Sequence, residues 1–169
     1  MRLFFALWPP EAVRAQLARW SRELRALCGG RPTPVENLHL TVAFLGSVAR
    51  VAEVERAARE VAVRRATLLL DRAGFWKHNR IVWAGTSLAP AGVEQFARDL
   101  RGVLARHEIG FDAKPFATHV TLLRDAREPQ SMPALEPIAW EVDGFALVRS
   151  QPGAGGSRYE AVATWTAAA

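Results

Sequence analysis

Two apolar segments of the chain contain the same interruption, a histidine followed two residues later by a threonine. The first segment, "NLHLTVAFLG", holds His39 and Thr41, and the second, "THVTLLR", holds His119 and Thr121. Side chains of a β-strand alternate between its two faces, so each strand would carry an imidazole and a hydroxyl on one face and apolar side chains on the other. A fold of this chain must therefore bury one face of each strand and give the other a polar environment.

The surroundings of the two motifs are also alike, because each predicted strand follows a predicted helix and a loop containing proline. The two histidines are 80 residues apart, and an internal pseudo-repeat with halves of about 1–88 and 89–169 is the simplest interpretation. Two related lobes around a pseudo-twofold axis would bring the polar faces together across a groove, within one bilobal domain spanning 1–169. The helical stripes that support this interpretation are Val13, Leu17, Trp20 and Leu24, and then Val93, Phe96, Leu100 and Val103.

The remaining segments add further strands and one more helix. "RLFFALW" reads as a first strand, and "VAEVERAAREVAVRR" has the spacing of a helix. "ATLLLDRAGFW" and "RIVWAGTS" read as two strands around a turn at "KHN". "AWEVDGFALVRS" and "SRYEAVATWTA" read as a closing hairpin.

Composition narrows the class of protein further. With 50% hydrophobic and 23% charged residues, the chain is typical of a soluble globular domain. One cysteine, Cys28, excludes an internal disulfide and a four-cysteine metal site, and no segment resembles a signal peptide or a membrane span, so we expect a cytoplasmic protein without membrane association. The net charge of +5 permits a polyanionic ligand without requiring one.

Two histidines that face one reaction centre suit metal-free phosphoryl chemistry. An ordinary imidazole has a pKa of about 6.5, so one ring can be neutral while the other is protonated at the same pH. The neutral ring can take a proton from water, and the charged ring can deliver one to a leaving oxygen on the opposite side of phosphorus. The threonine hydroxyls can donate to the non-bridging phosphate oxygens. A strained five-membered cyclic phosphodiester would be the easiest substrate for such a site.

The paired segments "NLHLTVAFLG" and "HVTLLRDA" resemble the H-x-T-x motifs of the two-histidine phosphoesterase superfamily. More narrowly, the chain is similar to the RNA 2′,3′-cyclic phosphodiesterases, also called 2′-5′ RNA ligases. The opening "RLFFALWPP", the "DRAGFW…RIVWAG" hairpin and the late "SRYEAVATW" segment also match this family. The resemblance therefore covers nearly the whole chain.

The resemblance implies an α+β fold of two pseudo-symmetric lobes, each an antiparallel sheet backed by helices, around a central active-site groove. It implies hydrolysis of RNA 2′,3′-cyclic phosphate termini to a 2′-phosphate without metal or nucleotide cofactor, and a weak reverse reaction that forms a 2′-5′ linkage. His39 would then protonate the departing 3′ oxygen and His119 would be the base on water. Thr41 and Thr121 would hold the phosphate.

Two further residues are candidates for substrate binding. Arg124 matches a family arginine near the phosphate, although strict strand alternation would place it opposite His119, so it could reach the groove only past the strand end or through a bulge. Trp76 is the best candidate for stacking on a base, because it precedes a turn that contains Lys77 and Arg80. The aromatic residues Phe5, Trp8 and Trp83 are weaker candidates for the same role.

The sequence leaves other functions open. A metal site at the two histidines lacks a third Asp, Glu or Cys ligand in either motif. The same chemistry could act on a small cyclic nucleotide or on an ADP-ribose cyclic phosphate instead of an RNA 3′ end. A non-catalytic RNA-binding module is the third alternative, but binding alone would be better served by arginine than by two His/Thr pairs. We expect a monomer whose partner is RNA ending in a 2′,3′-cyclic phosphate.

Overall fold

The computed structural model describes all residues, Met1–Ala169, and contains both helices and strands. Ten strands and three α-helices follow one another along the chain, with a short 3-10 turn at Val35–Asn37. In chain order they are β1 (Arg2–Leu7), α1 (Glu11–Cys28), β2 (Arg31–Pro32), β3 (Leu40–Ser47), α2 (Val51–Ala58), β4 (Ala66–Leu70), β5 (Arg72–Trp76), β6 (Ile81–Gly85), α3 (Ala91–Arg106), β7 (His119–Arg124), β8 (Ile138–Val142), β9 (Gly144–Gln151) and β10 (Arg158–Thr166).

Two four-stranded antiparallel sheets form the framework. Sheet A has the strand order β10-β9-β1-β3, and sheet B has the order β2-β7-β6-β5. Strands β4 and β8 form a separate antiparallel pair. The predicted α+β class with antiparallel sheets is confirmed, and the two His/Thr motifs belong to different sheets, on β3 and β7.

Each four-stranded sheet combines strands from both halves of the chain. Sheet A joins β1 and β3 to β9 and β10, and sheet B adds β7 to β2, β5 and β6. The sheets therefore do not follow a division of the chain between 1–88 and 89–169, and the internal repeat stays a prediction from the sequence.

The helices cover the sheets with the apolar stripes that the sequence predicts. Residues Val13, Leu17, Trp20 and Leu24 of α1 are all buried, and the helix ends at Gly29, whose positive φ of 61° favours glycine. Helix α2 is shorter than predicted and stops at Ala58. The backbone then tightens into i→i+3 hydrogen bonds, from Glu60 to Ala57 and from Val61 to Ala58, which turn the chain so that the Val61 side chain enters the core.

Two segments that read as single strands are divided by the fold. "ATLLLDRAGFW" breaks at Asp71 into β4 and β5, and "AWEVDGFALVRS" breaks at Asp143 into β8 and β9. In both cases the first part joins the β4–β8 pair and the second part joins a four-stranded sheet. Asp71 fixes the first break, because its carboxylate accepts hydrogen bonds from the backbone N–H and the hydroxyl of Ser87. The prediction of continuous strands was wrong at these two points.

The main core is one cluster of 35 buried residues, to which both four-stranded sheets and all three helices contribute. Strand β1 is buried on both faces. Leu3, Phe5 and Leu7 enter that main core, whereas Phe4 and Ala6 belong to a second, smaller cluster. The smaller cluster supports the side of sheet A that carries the first His/Thr motif. No helix has the length and apolar character that a membrane span requires.

Candidate active site

A groove of about 600 Å³ contains all six residues that the sequence singles out. His39 and Thr41 line it from the start of β3, and His119, Thr121 and Arg124 line it from β7, while the indole of Trp76 closes one side from the end of β5. The groove thus joins residues of sheet A to residues of sheet B.

Both imidazoles are oriented by the same backbone device. His39 Nδ1–H donates to the carbonyl oxygen of Asn37 at 2.6 Å, and His119 Nδ1–H donates to the carbonyl oxygen of Ala117 at 2.9 Å. In each case the acceptor lies two residues before the histidine. Because a carbonyl oxygen can only accept, Nδ1 must carry the proton, and a neutral ring then has its lone pair on Nε2. Each histidine therefore has one nitrogen anchored and one left for chemistry.

A β-bulge follows the threonine of each motif and changes which residue faces the groove. Thr41 pairs with Ala6 and Ala43 pairs with Phe5, so Val42 is the extra residue on β3. Likewise Thr121 pairs with Trp83 and Leu123 pairs with Val82, so Leu122 is the extra residue on β7.

The two bulges bring a further residue of each strand into the groove. The residue three positions after the threonine, Phe44 on β3 and Arg124 on β7, lines the groove, whereas strand alternation would turn it away. Simple alternation along β3 would place Phe44 on the core face with Val42, and this prediction is wrong because of the bulge. Arg124 reaches the groove through a bulge, which is one of the two routes that strict alternation leaves open to it.

The threonines are held beside the histidines in two different ways. Thr41 Oγ1 lies 3.0 Å from His39 Nε2, so the hydroxyl can donate to the free nitrogen of the neutral ring. Thr121 is supported through its backbone, because the hydroxyl of Thr33 donates to the Thr121 carbonyl oxygen at 2.9 Å. Thr33 also lines the groove. It was not singled out in the sequence, where it lies in an ordinary proline-rich loop.

The charged lining of the groove is entirely basic. Arg2, Arg31 and Arg124 contribute to it, and none of its 21 residues is an aspartate or a glutamate. Asp125 forms an exposed ion pair with Arg31 at 3.0 Å but does not line the groove. No group of three His, Cys, Asp or Glu side chains anywhere in the chain could hold a metal ion. This arrangement favours an anion, and guanidinium groups match the oxygens of a phosphate.

Burial in this positive groove favours the neutral form of both histidines. Desolvation lowers the pKa of His39 to about 4, and the charges of His119 and Arg124 act in the same direction against the bond to Asn37. Desolvation and Arg124 also lower the pKa of His119, against the bond to Ala117. An anion placed between the two rings would raise both pKa values, because it favours the charged form of each imidazole.

Aromatic side chains surround the two histidines unequally. The rings of Phe4, Trp8 and Tyr159 have centroids 5.0, 5.4 and 5.2 Å from that of His39, and we call these three the aromatic cage. Phe4 and Tyr159 were not predicted from the sequence, because they come from β1 and β10, far from the motif in the chain.

One aromatic ring lies beside the second histidine. The ring centroid of Trp76 is 4.6 Å from that of His119, and Trp76 is backed by Trp83 at 5.5 Å. Phe5, one of the weaker stacking candidates, is fully buried in the core. Trp76 therefore remains the aromatic residue best placed for a ligand on the His119 side.

Comparison with known proteins identifies the family. The family model described as LigT like Phosphoesterase matches residues 7–83, which include the first motif. The RNA 2′,3′-cyclic phosphodiesterase of Escherichia coli (strain K12) is 39% identical over 97% of this chain and 95% of its own length. The chain belongs to the LigT-like phosphoesterase family. The enzyme of the same name from Thermus thermophilus is 37% identical over 89% of this chain and 82% of its own.

Solved structures of LigT-like proteins share the whole fold. The E. coli LigT structure in apo form superposes with a TM-score of 0.86 at 36% identity, covering 98% of this chain and 96% of that chain. E. coli LigT complexed with 3′-AMP gives the same TM-score and identity, covering 98% and 97% of the two chains. The agreement thus includes the strands that line the groove.

Proposed function

We propose that the protein hydrolyses RNA 2′,3′-cyclic phosphate termini to a 2′-phosphate, without a metal, by general acid/base catalysis at two histidines. The observation that carries the proposal is the pair of matched imidazoles in one groove, each with Nδ1 anchored to a carbonyl, beside three arginines and no carboxylate. Relatives named RNA 2′,3′-cyclic phosphodiesterase, 39% and 37% identical to this chain, support the substrate class.

The reaction needs one proton removed and one proton delivered. Nε2 of His119 takes a proton from water while the water oxygen attacks phosphorus. As the bond from phosphorus to the 3′ oxygen breaks, Nε2–H of His39 protonates that oxygen, and the 2′ ester remains. His39 acquires its proton when the anionic substrate enters, because the phosphate charge opposes the burial that otherwise keeps the ring neutral. The assignment of acid and base follows the family resemblance.

Binding of the phosphate falls to the hydroxyl and guanidinium groups of the groove. Thr41 and Thr121 face it from the two sheets and can donate to the non-bridging oxygens, where charge accumulates as water attacks. Arg124, turned inward by the bulge at Leu122, supplies a paired set of N–H donors and a positive charge. Trp76 stacks on the base of the terminal nucleotide.

The test uses oligoribonucleotides that end in a 2′,3′-cyclic phosphate, incubated with excess EDTA. The proposal predicts undiminished hydrolysis and a product with its phosphate on the 2′ oxygen. Activity that EDTA abolishes and zinc or manganese restores would contradict the metal-free mechanism. A product carrying a 3′-phosphate would contradict the assignment of the leaving oxygen.

The same assay separates the alternative substrates. Turnover that rises from a mononucleoside cyclic phosphate to longer oligomers supports RNA, whereas equal or better turnover of small cyclic nucleotides favours those instead. Microscopic reversibility gives the same groups a weak ligation activity, joining a 5′-hydroxyl end to the cyclic phosphate through a 2′-5′ linkage. We further propose that the protein acts as a monomer in the cytoplasm. The free, buried thiol of Cys28 is consistent with that reducing compartment.

A further inference from the structure

A protonated His39 would be a buried cation without an acidic partner. Histidines that work as acids or bases are commonly paired with a carboxylate that stabilises the imidazolium. Here the groove has no carboxylate, and the partner of Nδ1 is the neutral carbonyl of Asn37. Apart from the substrate phosphate, only an uncharged group of the protein can therefore favour the charged ring.

The groups that face His39 from each neighbouring element can be named. Across the groove lie His119 and Arg124, and Arg2 lines the groove from β1; all of these are basic. Tyr159 on β10 presents its ring edge-on, at 88° to the imidazole, and the Thr41 hydroxyl lies against Nε2. None of these charged neighbours stabilises an imidazolium.

Trp8 has a geometry that can stabilise an imidazolium at His39. Its ring is nearly parallel to that of His39, at an interplanar angle of 6° with centroids 5.4 Å apart, whereas the Phe4 ring is tilted by 37°. The face of an indole carries the negative part of the ring quadrupole and attracts a cation stacked on it, most strongly where water is excluded. Trp8 does not line the groove itself, so it contacts the acid without occupying the space for the substrate.

We propose that Trp8 is a positioning residue for the acid step, whose indole face stabilises the protonated form of His39 in place of the missing carboxylate. The proposal rests on the proposed function, since it concerns the histidine assigned as proton donor. The aromatic cage thereby has two roles: it excludes water from the imidazole, and the indole face offsets part of the free-energy cost of burying the charged ring.

The direct test is an NMR titration of His39 in the substrate-free protein. Trp8→Leu keeps an apolar side chain over the ring but removes the π face, and we expect the His39 pKa to fall by about one unit, within a range of about 0.5–1.5. Trp8→Phe restores a π face and should recover most of that loss. Trp165→Leu is the matched control, because Trp165 lies on the same sheet but stacks on Phe145, and it should leave the titration of His39 unchanged.

Kinetics provide a second measurement. At a pH where His39 is mostly neutral, a fall of one unit should lower kcat/KM of Trp8→Leu about tenfold on a substrate whose leaving oxygen needs a proton. The loss should disappear on a nitrophenyl ester, whose leaving group needs none. A defect of equal size on both substrates would mean that Trp8 acts on the shape of the groove, which overturns the proposal.

Two titration results would also overturn it. An unchanged or raised His39 pKa in Trp8→Leu would show that the indole only shields the ring. Equal lowering in Trp8→Leu and Trp8→Phe would assign the effect to packing rather than to the π face. The titration is read without substrate, so it tests the stabilisation of protonated His39 independently of activity. Full activity of His39→Ala would contradict the proposed function and would leave the titration result unaffected.

Discussion

Acidification should destabilise the folded protein through His39. Burial holds the pKa of this histidine at about 4, below the ordinary 6.5 of an unfolded chain. Between these two values the unfolded state binds more protons than the folded state, so the free energy of unfolding must fall as the pH falls through this window. Above about pH 6.5 the ring is neutral in both states, and below about pH 4 it is charged in both, so its contribution is constant outside the window.

The size of the effect follows from the difference in pKa. At about 1.4 kcal/mol per unit, a pKa lowered from 6.5 to about 4 corresponds to about 3–4 kcal/mol. Stabilisation of the charged ring by Trp8 acts in the opposite direction and would reduce this by about 1 kcal/mol. We therefore expect His39 to account for a loss of about 2–3 kcal/mol in the free energy of unfolding between pH 7 and pH 4.

The measurement is urea unfolding of the wild type and of His39→Gln at several pH values from 4 to 8. Subtraction is necessary because other groups also make the free energy of unfolding fall in acid. A hydrogen bond from Arg106 lowers the pKa of Glu60, and hydrogen bonds from Ser87 lower the pKa of Asp71. These groups are common to both proteins, so the difference between the two curves reports His39.

A stability difference between the wild type and His39→Gln that stays constant from pH 8 to pH 4 would refute the reasoning. It would mean that the imidazole titrates alike in the folded and unfolded chains, and hence that the groove does not desolvate it. A difference that changes in the opposite direction, with the wild type gaining stability in acid, would point to a stabilised imidazolium.

Two further predictions concern the walls of the groove. A Cβ at Gly74 would overlap the six-membered ring of Trp83, so Gly74→Ala should lower the free energy of unfolding in urea by about 1–3 kcal/mol. Because Trp83 backs Trp76, the same variant should have a raised KM. A wild-type unfolding midpoint would contradict this packing. Arg124→Lys keeps the charge but loses the guanidinium fork, so KM for the cyclic phosphate should rise on the order of tenfold; an unchanged KM would mean that Arg124 acts only as a distant charge.

The His/Thr pairs could be predicted from the sequence because their geometry is local. Alternation along a strand is enough to place His39 beside Thr41 and His119 beside Thr121, and repetition of the pattern is enough to suggest that they face each other. The apolar stripe of α1 could be predicted for the same reason, since helical spacing alone selects its buried face.

The inward turn of Arg124 could not be predicted, because a bulge depends on the partner strand. Val42 and Leu122 are ordinary apolar residues in sequence, and they become extra residues only through the register that β1 and β6 impose. A bulge reverses the face of everything after it, which is why Phe44 and Arg124 both differed from simple alternation.

The strand breaks at Asp71 and Asp143 have the same kind of cause. Each occurs where the chain passes from the β4–β8 pair to a four-stranded sheet, and this change of partner leaves little local signal. At the second break, a Cβ on Gly144 would lie 2.5 Å from the Trp165 carbonyl oxygen, so glycine is required by a strand that follows much later in the chain. The aromatic cage is likewise assembled from β1 and β10 and has no counterpart in the motif itself.

The central claim is that one histidine delivers a proton and the other removes one, and the leaving group of the substrate tests it most directly. His39→Ala and His119→Ala should each reduce kcat/KM on a cyclic-phosphate oligonucleotide by about 10²–10⁴-fold. On a nitrophenyl phosphodiester, whose leaving group needs no proton, His39→Ala should recover much of the wild-type rate while His119→Ala stays slow. Thr41→Ala and Thr121→Ala, which remove phosphate contacts, should lose similar factors on both substrates. The reverse pattern of recovery would exchange the two roles, and equal defects of both histidine variants on both substrates would contradict the division of labour itself.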